Sequence, residues 1–281
     1  MTNTSSIHTQ QGWLSTSPHV FYRAWLAANT PRAAVVICHG YAEHSGRYDH
    51  VGHYLAAQNL AVYACDSHGH GHSDGVRASA SSLDGYVDNL VLMLQHAQAA
   101  HPNVPLILLG HSMGGLVALQ TCLEHPDDIN LLCLSSAMLR NAVALPGWLS
   151  IIAKTLAQAY PDLSTQALDA RDIARDPLVV ARYLHDPLVY TGKVRAGLGY
   201  CLLTAGEDIL QRASVLTLPM LILHADADRI ADPRGSEKLY ERVSSNDKTF
   251  KMFDSYHEIL HDTARDAVLH TLSQWLDDRL T

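Results

Sequence analysis

Leu108-Leu109-Gly110-His111-Ser112-Met113-Gly114-Gly115 is the stretch on which the reading of this chain turns. An apolar run from Val104 to Leu109 precedes it, and an apolar helical pattern from Met113 to Glu124 follows it. G-x-S-x-G between a strand and a helix forces a sharp turn whose central residue is strained. Gly110 and Gly114 carry no side chain to clash in that turn. The Ser112 hydroxyl then projects above the sheet edge, beside a helix N-terminus that favours negative charge. This is the geometry of a serine nucleophile.

Working outward, the chain alternates. Ala33–Cys38 and Leu60–Cys65 are continuous apolar runs, as strands buried on both faces show. Helical spacing marks Tyr48–Ala57, Leu83–Ala100 and a C-terminal helix over Thr263–Asp278. Asn130–Leu134, Met220–Leu223 and Phe250–Phe253 supply further strands, and Gln11–Thr16 with His19–Ala27 reads as an opening hairpin. Strands alternating with helices predict crossover units and a mostly parallel sheet, hence an α/β fold. From about Met138 to Ala213 the alternation stops. Helix-like sequence broken by Pro146, Pro161, Pro177 and Pro187 reads as an inserted helical cap over 138–213, leaving 1–137 and 214–281 as the core.

Acyl transfer needs donors for a developing oxyanion. The amide after the nucleophile is that of Met113. The loop that ends the strand Ala33–Cys38, Cys38-His39-Gly40-Tyr41, offers the Tyr41 amide as the second. For the acid, the strand Met220–Leu223 leads into His224-Ala-Asp226-Ala-Asp228-Arg-Ile-Ala-Asp232-Pro233. Asp226, Asp228 and Asp232 compete, and strand position alone does not choose. Asp232 before Pro233 looks like a helix cap; Asp228 falls in the connecting loop. The strand Phe250–Phe253 then leads through Asp254-Ser255-Tyr256 to His257, the candidate base. A neutral imidazole takes the serine proton while a carboxylate fixes its tautomer.

Two rival motifs suggest metal. His257-Glu258-Ile259-Leu260-His261 matches H-E-x-x-H, which binds zinc when a helix sets both imidazoles on one face. It follows a strand here, late in the chain. His68-Gly69-His70-Gly71-His72 alternates imidazoles with flexible glycines. A hydrogen-bonded loop fits it better than a metal site. No metal or organic cofactor is expected.

Bulk properties narrow the classes. The 281 residues carry 47% apolar and 17% charged residues and a formal net charge of −8. That suits a globular protein with a sizeable core. Without a Lys/Arg run there is no footprint for nucleic acid. No secretory leader is visible, and no apolar run nears the ~20 residues of a spanning helix. The five cysteines are widely spaced, as reduced buried thiols of a cytoplasmic protein are.

Five stretches together resemble the monoacylglycerol lipase and lysophospholipase group of α/β-hydrolases, related to serine aminopeptidases. They are His39-Gly-Tyr-Ala-Glu-His-Ser-Gly-Arg-Tyr48, Asp66-Ser-His-Gly-His-Gly-His-Ser-Asp-Gly75, Gly110-His-Ser-Met-Gly-Gly115, Ala227-Asp-Arg-Ile-Ala-Asp-Pro233 and Ser255-Tyr-His-Glu-Ile-Leu260. Asp186-Pro-Leu-Val189 extends the likeness into the cap. The resemblance implies an eight-stranded sheet, a helical cap over the site and hydrolysis of monoacylglycerol esters. Lysophospholipase or short- to medium-chain carboxylesterase activity is the alternative; a peptidase or an acyltransferase, which would share the triad and differ at the cap, is less favoured, and the complete triad argues against a non-enzymatic ligand receptor. It favours Asp228 as the acid and the Tyr41 and Met113 amides as the oxyanion hole. It also puts Glu43 and Arg47 on the glycerol head group, with a structural ion pair as the bland alternative. Two departures stand out. Relatives often follow the base with Glu-x-x-Asn-Glu where this chain has Glu258-Ile-Leu-His261-Asp262, and Tyr41 replaces a small residue, narrowing the pocket mouth. The expected partner is a lipid ester. The apolar segment Ala142–Leu156, with Trp148, Leu149, Ile151 and Ile152, faces the core, an acyl tunnel or a lipid surface in transient membrane contact.

Overall fold

A computed structural model describes residues 6–14, 17–142 and 147–280, without the side chains of 147–152. The strands of the main sheet are β1 (His8–Trp13), β2 (Phe21–Leu26), β3 (Ala33–Cys38), β4 (Leu60–Cys65), β5 (Leu106–His111) and β6 (Leu131–Ser135). After the cap come β9 (Met220–Ala225) and β10 (Lys248–Phe253). They form one eight-stranded sheet in the order β1-β2-β4-β3-β5-β6-β9-β10. The β1–β2 and β2–β4 pairs are antiparallel, and every other pair is parallel. The central strands β3, β4, β5, β6 and β9 are buried along their whole length, as their unbroken apolar runs require.

Helices α1 (Asp49–Ala56) and α8 (Arg265–Asp277) cover one face through Val51, Leu55, Val268 and Leu272. On the other face lie α2 (Asp84–Ala100), α3 (Met113–Glu124) and α7 (Pro233–Arg242), which bury Tyr86, Met93, Leu116 and Leu239. Gly52 lets α1 press onto Trp25: a Cβ there would lie 2.2 Å from the indole. All five cysteines are buried and free.

Between β6 and β9 the chain forms α4 (Gly147–Ala159), α5 (Pro177–His185) and α6 (Ala196–Arg212). Two features differ from the sequence expectation. A short antiparallel ribbon, β7 (Ser164–Ala167) with β8 (Lys193–Arg195), runs through a segment read as strand-free. Its strands have four and three residues and no apolar alternation, so they left no periodic signal. Helix α6, read as cap, packs Leu198, Ile209 and Leu210 into the same cluster as α3. Among the described residues, a small satellite cluster around Ile173, Val179, Tyr183 and Val189 lies in the cap, with Ile230 packed against it. Of the apolar residues in Ala142–Leu156, Trp148, Leu149, Ile151 and Ile152 have side chains outside the described residues; Leu156 is exposed.

Among the described residues, no helix is long and apolar enough to cross a membrane.

Candidate active site

Ser112 sits between β5 and α3 with φ 53° and ψ −118°, a conformation that L-residues rarely adopt. The glycines around it explain how the turn closes. A Cβ on Gly114 would lie 2.1 Å from the Cys38 carbonyl oxygen, and one on Gly110 would lie 2.6 Å from that of Gly114. The strained residue is tied down by backbone: its N–H donates to the Ser135 oxygen at 3.0 Å, and its carbonyl accepts from Met138 at 3.1 Å and Gly115 at 2.9 Å.

The hydroxyl of Ser112 lies 2.7 Å from His257 Nε2, and His257 Nδ1 lies 2.7 Å from Asp228 Oδ2. Asp228 is fixed in turn, its Oδ1 accepting from the Ile230 and Ala231 amides at 2.8 and 2.9 Å. All three residues are buried. The competing aspartates separate cleanly. Asp226 is exposed, and Asp232 caps α7, accepting from the Arg234 amide and pairing with Arg140 and Arg234. His257 is buried, which opposes its charge, but the Asp228 carboxylate outweighs that and holds its pKa above the ordinary histidine value. Burial likewise opposes the Asp228 charge, and the two imidazoles of His257 and His224 overcome it, keeping the carboxyl well below the usual range. His111, inside the nucleophile turn, stacks on His257 at 5.1 Å; burial pushes its pKa down to about 4, so it stays neutral.

The loop after β3 lies against this turn: a Cβ on Gly40 would come 3.2 Å from both Ser112 Cβ and His111 Cδ2. Tyr41 follows, and Met113 begins α3, so the two amides expected to face an oxyanion lie on segments that meet at Ser112. Glu43 sets this loop. Its Oε1 accepts from the Gly40 amide at 2.6 Å and the Tyr48 hydroxyl at 2.7 Å, and its Oε2 from Arg47 at 2.7 Å. Arg47 also forms a two-bond fork with Glu258, at 2.6 and 2.7 Å. The head-group role implied for Glu43 and Arg47 does not fit these contacts. Both side chains are at most 10% exposed, and both oxygens of Glu43 are engaged inside the protein. The cluster is a buried ion network that holds the loop after β3. Burial alone would raise the Glu43 pKa, and Arg47 reverses that to well below the carboxylate range; Glu258, desolvated and repelled by Glu43, is pushed up.

Neither metal motif gathers its imidazoles. His257–His261 lies in turns rather than on a helix, with His257 between Ser112 and Asp228, Glu258 on Arg47 and His261 packed against Tyr48 and His50. In the other motif, His70 is buried between His39 and Tyr86, while His72 is exposed against Phe21. Burial pushes the His70 pKa down to about 3.

Sequence reasoning missed the contacts that join the cap to both loops. The Tyr190 amide donates to the Ala42 carbonyl at 2.8 Å, and His44 Nε2 lies 2.9 Å from Asp186 Oδ2, on the side of the loop after β3. On the base side, the Glu258 amide donates to the Ile173 carbonyl at 2.8 Å, and Asp262 Oδ1 accepts from the Arg175 and Asp176 amides at 2.9 and 3.0 Å. Asp262 was legible only as a departure from the Glu-x-x-Asn-Glu pattern. It also missed His224, which lies beside Asp228.

The family model for serine aminopeptidase, S33, matches residues 29–264. A monoacylglycerol lipase of Mycolicibacterium smegmatis is 37% identical over 93% of this chain and 94% of its own length. The monoglyceride lipase of Rattus norvegicus is 33% identical over 93% of this chain and 88% of its own. The crystal structure of a Paleococcus ferrophilus monoacylglycerol lipase superposes with a TM-score of 0.80 at 30% identity, covering 96% of this chain and 98% of that one.

Two measurements check the site. Replacing Asp228 by Asn should lower kcat by roughly three to four orders of magnitude, because His257 then takes the wrong tautomer. Asp226→Asn should leave kcat within a few-fold, and the reverse ranking would misassign the acid. A His257 pKa above the ordinary value means the protonated, inactive imidazole persists to higher pH. The acid limb of kcat/KM should therefore fall above pH ~6.5. A limb well below that value would contradict the His257–Asp228 pairing.

Proposed function

We propose that this chain, which belongs to the serine aminopeptidase S33 family of α/β-hydrolases, cleaves monoacylglycerols to fatty acid and glycerol through an acyl-enzyme on Ser112. The observation that carries the hydrolase reading is the unbroken chain of hydrogen bonds from Ser112 through His257 to Asp228, each 2.7 Å long, at a strained strand-to-helix turn. The substrate reading rests on the lipases this chain is similar to along most of its length.

The cycle follows from the geometry. His257 Nε2 takes the Ser112 proton as the oxygen attacks the ester carbonyl. The Met113 and Tyr41 amides stabilise the oxyanion that forms, a contribution worth about 3–4 kcal/mol per donor in related chemistry. His257 then gives its proton to the departing glycerol oxygen, leaving Ser112 acylated. Water enters, loses a proton to His257 and attacks the acyl carbonyl, and the fatty acid departs as the proton returns to Ser112. Asp228 steadies the imidazolium in both halves without itself taking a proton. The cap helices supply apolar surface for the acyl chain. The exposed Leu156, Tyr160 and Leu163, on the end of α4 and the loop after it, are the side chains we place against a lipid surface in transient contact.

A substrate panel tests the reading. Monoacylglycerols should show the highest kcat/KM, with stoichiometric release of glycerol, against lysophospholipids and p-nitrophenyl esters of matched chain length. Highest kcat/KM on lysophospholipids, or on short p-nitrophenyl esters with monoacylglycerols untouched, would replace the proposed substrate.

A further inference from the structure

Asp228 meets a second imidazole besides that of the candidate base. His224, on β9, lies four residues before Asp228, and both side chains are fully buried. His224 Nε2 is 3.2 Å from Asp228 Oδ2 and also 3.2 Å from the Ala231 carbonyl oxygen. Its Nδ1 is 2.7 Å from the Ser236 hydroxyl. A carbonyl oxygen accepts only, so Nε2 carries the proton and Nδ1 accepts from Ser236. That tautomer sets an N–H against the same carboxylate oxygen that receives His257 Nδ1–H at 2.7 Å.

We propose that His224 is a positioning residue of the Ser112–His257–Asp228 triad: its Nε2–H shares Asp228 Oδ2 with His257 and so limits how strongly Asp228 raises the basicity of the imidazole. The proposal rests on the triad reading above. Its physical basis is competition. A donor on a carboxylate disperses the negative charge that the carboxylate offers to any other partner. With His224 in place, Asp228 stays ionised and aligned while its pull on the His257 imidazolium is tempered. Ser236 has a part as well, since its hydroxyl donates to Nδ1 in that tautomer, while the Ala231 carbonyl and the Asp228 carboxylate, which only accept, exclude a lone pair on Nε2.

Other charged groups face the pair. Glu258 and Glu43 act on His257 from the base loop and the oxyanion loop, and His111 lies against it from the nucleophile turn. Arg47 neutralises part of both glutamates. None of these is altered by substitutions at 224 or 236, so a change in the pH profile isolates the His224 contribution.

The test is the acid limb of kcat/KM for a p-nitrophenyl ester in three proteins: wild type, His224→Gln and the double variant His224→Leu/Ser236→Ala. Glutamine keeps an amide donor, whereas the double variant removes the donor and the hydroxyl it would strand. The expected result is a limb moved up by about half to one pH unit in the double variant and to within ~0.2 units of wild type in His224→Gln. A limb unmoved in the double variant, with only thermal stability lowered, would make His224 structural and overturn the proposal. So would a downward shift. A wild type with no esterase activity would instead remove the triad reading, and this proposal with it. If the double variant does not fold, ¹⁵N NMR of the wild-type histidines decides. A proton on His224 Nε2 and a bare Nδ1 support the proposal, and the opposite tautomer overturns it.

Discussion

Everything at the site depends on one backbone constraint, the left-handed turn at Ser112. A residue held in such a conformation costs on the order of 1–3 kcal/mol. That is comparable with two or three ordinary hydrogen bonds, and the Ser112 N–H and carbonyl are held by Ser135, Met138 and Gly115. Gly110, Gly114 and Gly115 are the other half of the arrangement. Side chains there would strike the Cys38 and Gly114 carbonyls and the Ala137 Cβ. The turn can therefore close only with the β3 end and the β6 end packed onto it, and those two ends carry the oxyanion loop and the start of the cap. Strain, glycine placement and strand order are one requirement met three ways.

From that turn the structure extends through two anchored loops. The loop after β3, which carries the candidate oxyanion donor, is braced by Glu43, whose carboxylate holds the Gly40 amide and is itself held by Arg47 and Tyr48. The base loop meets the same network through Glu258. One guanidinium thus ties together the loops that supply a candidate oxyanion donor and the candidate base, and the cap bonds to both from above. One guanidinium faces two carboxylates, and short charge-assisted bonds offset part of the desolvation of the three groups. Such a network contributes definition of geometry more than net stability.

Much of this was legible in the residues, and the limits have physical causes. The apolar runs Ala33–Cys38, Leu60–Cys65 and Val104–Leu109 read as strands, the last beginning two residues later in the structure, and G-x-S-x-G placed the strand-to-helix turn at Ser112. The boundaries of α3, Met113–Glu124, agree to the residue because a glycine-rich turn starts the helix and His125-Pro126 ends it. The three aspartates after β9 were distinguishable only in part. Asp232 showed its role through Pro233, whereas Asp226 and Asp228 differ by which side of the loop they face, which a sequence does not encode locally. Glu43 and Arg47 were read as head-group ligands with an ion pair as the alternative; the ion pair forms, and its extension to Glu258 escaped because that partner lies 211 residues away. The ribbon of β7 and β8 and the packing of α6 into the core escaped for the same reason: both are set by tertiary neighbours rather than by periodicity.

Ser112, made nucleophilic by His257, is the residue proposed to carry the acyl group. Incubation with a fluorophosphonate probe followed by peptide mass spectrometry tests it without choosing a substrate. One adduct is expected, on the Ser112 hydroxyl, and none in Ser112→Ala folded as wild type. An adduct on another residue, or undiminished labelling of Ser112→Ala, would contradict it.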